Sequence, residues 1–231
     1  MNKKQTIVAR GLAGYMILML GGNSVLAVDF PDATNGTSEV KATIELGEGG
    51  GPTIPPIDPG EVDPGVIDPE ITNPNEGPLA LRYVSNIEFE PITVSTKSQI
   101  ATSKKDTNTV NGAPVQLQAV VQDFRGNDTR DGWELKVKQS GTFVAGTELK
   151  LSPWVPEAVA EDYHTPQRMT VNTEAQIFAQ TMSSGNPAGI IAISMAGATE
   201  DIELVIPANT PVGEYSMTLT WTLDRGPVGT R

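Results

Sequence analysis

Tyr215-Ser216-Met217-Thr218-Leu219-Thr220-Trp221-Thr222-Leu223 alternates without a fault between apolar and hydroxyl side chains. Successive residues of an extended chain point to opposite faces, so a strict period of two marks a strand with one buried face. Tyr215, Met217, Leu219, Trp221 and Leu223 share the apolar side. A helix would scatter those five positions around its axis, and the β-branched threonines between them favour the extended form.

The same pattern recurs upstream in Trp133-Glu134-Leu135-Lys136-Val137-Lys138, where Trp133, Leu135 and Val137 lie on one face and the charges on the other. Further short alternating runs occupy residues 115–121, 147–151, 190–195 and 202–206, with Gly, Pro and Asn clusters between them. No stretch carries a helical period, and residues 157–162 offer one helical turn at most. Short strands at this spacing predict an all-β domain, a single antiparallel β-sandwich over residues 79–231.

Ahead of it, residues 28–51 hold one more alternating run near 40–46, with Val40, Ala42, Ile44 and Leu46 against Lys41, Thr43 and Glu45. A lone strand is unstable, so it is expected to pair back onto the domain; pairing with another protein as a donated strand is the alternative. Residues 52–78 form an acidic Pro/Gly-rich linker in which Pro59, Pro64, Pro69 and Pro74 each follow Asp or Asn. Fixed φ angles, missing donors and mutually repelling carboxylates predict a disordered, extended spacer.

Residues 1–27 read as a secretory signal peptide: Lys3, Lys4 and Arg10, an apolar core from Leu12 to Leu20, then Val25-Leu26-Ala27 before the cut. Its core is shorter than the roughly 20 residues a membrane-spanning helix needs. Removing these three positive charges and no negative ones takes the net charge from −12 to −15. Nucleic acid is disfavoured as a partner, because phosphate binding needs clustered Lys and Arg. The chain has no Cys, which excludes disulfides, thiolate metal sites and cysteine nucleophiles. Export without disulfides then asks for a large core, which about 150 residues can supply.

The chemistry-bearing residues do not assemble into a reaction centre. His164 is the only histidine and sits in a loop-like Asp-Tyr-His-Thr-Pro. Asp123, Asn127, Asp128 and Asp131 are rich in acceptors but lack the alternate spacing and terminal Glu of a calcium loop, and turn chemistry accounts for them equally well. Glu88 and Glu90 share a strand face about 6–7 Å apart, as surface carboxylates commonly do. No metal, no cofactor and no enzymatic activity are expected. The two indoles at Trp133 and Trp221 have two readings: core residues, or rings at the sandwich rim with a face open to sugar.

The chain resembles the WxL cell-surface proteins of low-GC Gram-positive bacteria. The resemblance rests on Gly132-Trp133-Glu134-Leu135 with the following Lys-Val-Lys-Gln, and on Leu-Thr-Trp-Thr-Leu ending at Leu223. It extends to Gly77-Pro78-Leu79, Tyr83-Val84-Ser85-Asn86-Ile87-Glu88-Phe89, and Val121-Gln122-Asp123-Phe124-Arg125-Gly126. It implies a secreted, extracellular protein held non-covalently on peptidoglycan at the cell-wall surface. The implied partners are a membrane-anchored protein, wall-sorted surface proteins and host matrix, in an adhesion complex. Trp133, Leu135, Trp221 and Leu223 occupy the signature positions, as peptidoglycan contacts or as builders of the fold.

Overall fold

The computed structural model describes residues 28–45, 72–75, 77–109, 112–126, 128–141, 143–182 and 187–226. The expected signal peptide, residues 1–27, and most of the expected spacer, residues 52–71 and 76, lie outside the described residues.

Among the described residues fourteen strands make three sheets, and there is no α-helix. They are β1 Asn35–Glu45, β2 Leu79–Val84, β3 Ile87–Glu88, β4 Ile92–Thr93, β5 Gln99–Thr102, β6 Gln118–Asp123, β7 Trp133–Ser140, β8 Glu148–Leu151, β9 Tyr163–His164, β10 Met169–Val171, β11 Gln176–Thr181, β12 Gly189–Ser194, β13 Glu203–Ile206 and β14 Gly213–Arg225. A single 3₁₀ turn at Glu157–Val159 stands where one helical turn is expected. The largest sheet runs β3-β1-β14-β7-β11-β9, with β4 also against β1; the others run β10-β8-β13-β5 and β12-β6-β2. Pairing is antiparallel except that β1 meets β3 and β4 in parallel, a departure from the purely antiparallel expectation.

Alternation explains the layering. Leu135 and Val137 on β7, Leu81 and Val84 on β2, Val121 on β6, Ile193 on β12, Leu149 and Leu151 on β8, and Leu204 on β13 are all buried in one cluster to which all three sheets contribute. The all-β architecture predicted from the sequence therefore holds, with curled sheets closing over a shared core as a sandwich requires.

The strand ahead of the spacer is part of this core. β1 pairs antiparallel with β14 from Asn35 opposite Thr222 to Ile44 opposite Gly213. Gly36, Ser38, Val40 and Ala42 form its buried row. Gly36 lies opposite Trp221, and a Cβ there would come within 3.0 Å of the Phe30 ring and 3.3 Å of Leu81. Only glycine lets the backbone pass between these side chains. β1 ends at Glu45, and the described chain takes up again at Thr72 ahead of β2.

Candidate functional site

Both tryptophan-bearing strands lie side by side in the largest sheet. Their antiparallel register places Leu135 directly opposite Leu223, Trp133 opposite Arg225 and Val137 opposite Trp221. The two Trp-x-Leu tripeptides are therefore paired to each other, leucine against leucine, with one indole at each end. Trp133 is 1% exposed and Trp221 0%, while Leu135 and Leu223 are at 0% and 2%. All four signature residues face the core.

Each indole has a dedicated aromatic neighbour. Trp221 meets Phe178 edge to face, with ring centroids 4.9 Å apart and planes at 87°, and Trp133 meets Tyr163 at 5.7 Å and 40°. Offset and edge-on contacts of this kind add about 0.5–1.5 kcal/mol beyond burial. The Trp221 Nε1 donates to Ser38 Oγ at 3.0 Å. A buried indole N–H needs such an acceptor, and it comes from the strand that precedes the spacer. Burial pushes the Tyr163 hydroxyl up to about 12, helped by the nearby Asp162 and Asp123 carboxylates.

The turn before Trp133 is held by charge. Arg125 Nε and Nη2 donate to the two carboxylate oxygens of Asp123 at 2.9 and 2.8 Å, its Nη1 to Asp131 at 2.6 Å, and its Nη2 also to the Gly132 carbonyl at 2.8 Å. Arg125 and Asp123 are both buried. Such a two-pronged pair suits a guanidinium and is costly to break from one side. Asp123 and Asp131, two of the clustered acceptors whose spacing does not fit a calcium loop, are thus engaged by Arg125, and no group of three or more His, Cys, Asp or Glu fit to hold a metal occurs among the described residues. Gly132 takes φ 86°, a left-handed conformation that other L residues resist, and delivers the chain into β7.

On the outer face, Lys136 Nζ bridges Glu134 at 2.8 Å and Asp224 at 3.1 Å. Glu134 and Asp224 stand opposite each other, so the lysine relieves a like-charge pair. The hydrogen bonds that Lys136 donates to the carboxylates of Glu134 and Asp224 hold its ammonium above the ordinary range. A second buried knot fixes β2: Tyr83 Oη donates to Asp106 at 2.7 Å, Ser85 Oγ donates to the same carboxylate oxygen, and Asn108 donates its backbone N–H to the other. Burial first, then the Asp106 charge, drives the Tyr83 pKa well above that of an ordinary phenol.

A family model, WxL domain surface cell wall-binding, matches residues 33–227. The chain belongs to the WxL family. No curated protein and no solved structure matches it. The match begins before β1 and ends after β14, so the WxL match includes the strand ahead of the spacer. WxL membership makes this a cell-wall-binding protein of the cell-wall surface. His164 is exposed at the short edge strand β9, with Gln180 as its pairing partner, and Glu88 is paired with Lys104 at 3.4 Å.

Sequence reasoning passed over one aromatic. Trp154, the third tryptophan, is 41% exposed. It sits in Pro153-Trp154-Val155-Pro156, between residues that show no strand alternation to assign it a face; its one visible signal is a tryptophan confined between two prolines.

Proposed function

We propose that this WxL protein is a non-catalytic surface protein retained non-covalently on peptidoglycan, where it serves in an adhesion complex with membrane-anchored and wall-sorted proteins and meets host matrix. The observation that carries this reading is the wall-binding family match over residues 33–227. The acidic chain argues for recognition by shape and stacking over charge attraction to anionic wall polymers.

The other reading, a scaffold held at the surface by a protein partner, would use the strand near residues 40–46 as its means of attachment. That strand is paired with β14 on one edge and with β3 and β4 on the other, which leaves it no edge to donate. The experiment is sedimentation of the secreted protein, residues 28–231, with sacculi stripped of protein and teichoic acid. Retention well above an albumin control is expected; sedimentation at the albumin level, with retention only on walls that keep their proteins, would overturn the peptidoglycan reading in favour of the scaffold.

A further inference from the structure

With both signature indoles sealed in the core, the indole that a wall polymer can reach is Trp154. The sequence around it explains why it is held out. Val155 is buried at 5% and Pro153 is buried, so Trp154 between them points away from the core. Prolines 153 and 156 fix two φ angles around it and limit its motion. Its backbone N–H donates to the Ser194 carbonyl at 3.0 Å, and the Ser194 N–H returns a bond to the Trp154 carbonyl at 2.9 Å. Trp154 therefore extends the β12-β6-β2 sheet by one residue beyond Ser194.

Directly bridged residues show their side chains on one face. Ser194 pairs with Gln118, Ala192 with Val120 and Ile190 with Gln122. Trp154, Ala192, Ile190 and Val120 thus share the outer face of this sheet, with Gln118 and Gln122 among them. Ile190 is 62% exposed. On the β2 side the same face is closed, since Tyr83 is buried against Asp106. The open half is about 13 Å long, by the strand rise from Ser194 to Ile190, and about 10 Å wide across two strand spacings.

Two properties of this patch select its ligand. First, no ionisable side chain stands in its rows, although the chain as a whole carries −12; a neutral surface on an acidic protein excludes a polyanion less than the rest of the molecule does, and offers nothing to a basic segment. Second, it is apolar beside free backbone polarity. The Ser194 N–H and C=O point to Trp154, away from β6, so by the two-residue repeat those of Ala192 and Ile190 point the same way. No described strand covers that edge. Apolar face plus N–H and C=O groups is what a pyranose chain matches, with its C–H faces on an indole and its hydroxyl and amide groups at the rim. A partner strand fits poorly, because Trp154 occupies the edge at Ser194 and leaves only the short stretch 189–193 of β12 to pair.

We propose that Trp154, with Ile190, Ala192 and Val120, is the surface that contacts the glycan strands of the wall. This rests on the peptidoglycan reading above and gives it a place on the molecule. The test is sedimentation of residues 28–231 with stripped sacculi, wild type beside Trp154→Ala and Ile190→Ser, with the thermal midpoint of each measured in parallel. A tenfold or greater weakening by Trp154→Ala, a smaller weakening by Ile190→Ser, and protection of the Trp154 fluorescence from iodide when sacculi are added are expected. Equal binding by wild type and both variants would remove this surface while leaving peptidoglycan retention intact. Failure of the wild type itself to sediment with stripped sacculi overturns both, and binding restored by wall proteins assigns the face to a protein. Should Trp154→Ala fail to fold, Ile190→Ser and the iodide measurement decide.

Discussion

Trp221 and Ser38, 183 positions apart in the chain, share a buried hydrogen bond of 3.0 Å from the indole Nε1 to the serine Oγ. The bond ties the second tryptophan motif to a strand that the spacer separates from the rest of the domain. Removal of the hydroxyl leaves a buried N–H without an acceptor, a cost of about 1–3 kcal/mol. Ser38→Ala should therefore lower the unfolding free energy by that amount in a denaturant titration. In a Trp221→Phe background, where no N–H remains, the same change should cost much less. Equal costs in the two backgrounds would show that the bond contributes nothing.

The ladder between β1 and β14 should outlast a break in the chain. A protease site placed within residues 52–70 and cut after folding gives two pieces, joined by the antiparallel register from Asn35 to Ile44 and by the buried row Gly36, Ser38, Val40 and Ala42. The pieces should co-elute in size exclusion and separate only in denaturant. Val40→Asp, which puts an unpaired carboxylate into the core, should let them part under native conditions. Spontaneous separation of the wild-type pieces would contradict the role given to β1. For the same reason a chain lacking residues 28–78 is a poor probe of wall binding, since it loses the acceptor for Trp221 along with the spacer.

What the sequence discloses follows the regularity of each strand. β7 and β14 are legible because Trp133 to Val137 and Tyr215 to Leu223 keep a period of two without interruption. β11 is not, because its register shifts between Ile177 and Ala179 and both Phe178 and Ala179 are buried, which breaks the alternation. β2 hides for a similar reason, with a register shift between Leu81 and Tyr83 around Arg82. At the site, alternation puts both indoles on the apolar face, and burial at 1% and 0% resolves the choice between core and rim toward core. The acceptor at Ser38 and the outward Trp154 depend on contacts between distant segments, which a local pattern does not carry.

Leu135 and Leu223, facing each other in the middle of the paired motifs, should respond as a unit. Each Leu→Ala change empties part of a core with 0–2% exposure and should cost about 2–5 kcal/mol. In the double variant both cavities fall at one place, so the sum of the single costs should not be reached, with a coupling of about 0.5–3 kcal/mol. Strict additivity in denaturant unfolding would mean that the two side chains do not share a site. Wall-binding measurements on such variants report folding before they report recognition, which is why the exposed Trp154 is the better target.

Alkaline pH should unfold the domain through the buried phenol of Tyr83 and the partly buried one of Tyr163. Burial raises the pKa of both Tyr83 and Tyr163 above the ordinary 10.0 of a phenol, the latter to about 12. A group held protonated in the fold stabilises it fully below its unfolded pKa, and that stability is lost as pH rises toward the folded value. The ammonium of Lys136, also raised above the ordinary 10.5 of a lysine, adds in the same direction. On the acid side Asp131 works oppositely: its pKa is lowered, first by a backbone hydrogen bond, so its contribution is present above the ordinary value of 3.8 and fades as pH falls below it. Stability measured by urea unfolding should therefore be lower at pH 11 than at pH 8, and the absorbance of Tyr83 and Tyr163 at 295 nm should change only when the chain unfolds. Tyr83→Phe should lose the bond to Asp106 at every pH and flatten the alkaline slope. A slope unchanged by this substitution would place the alkaline transition elsewhere.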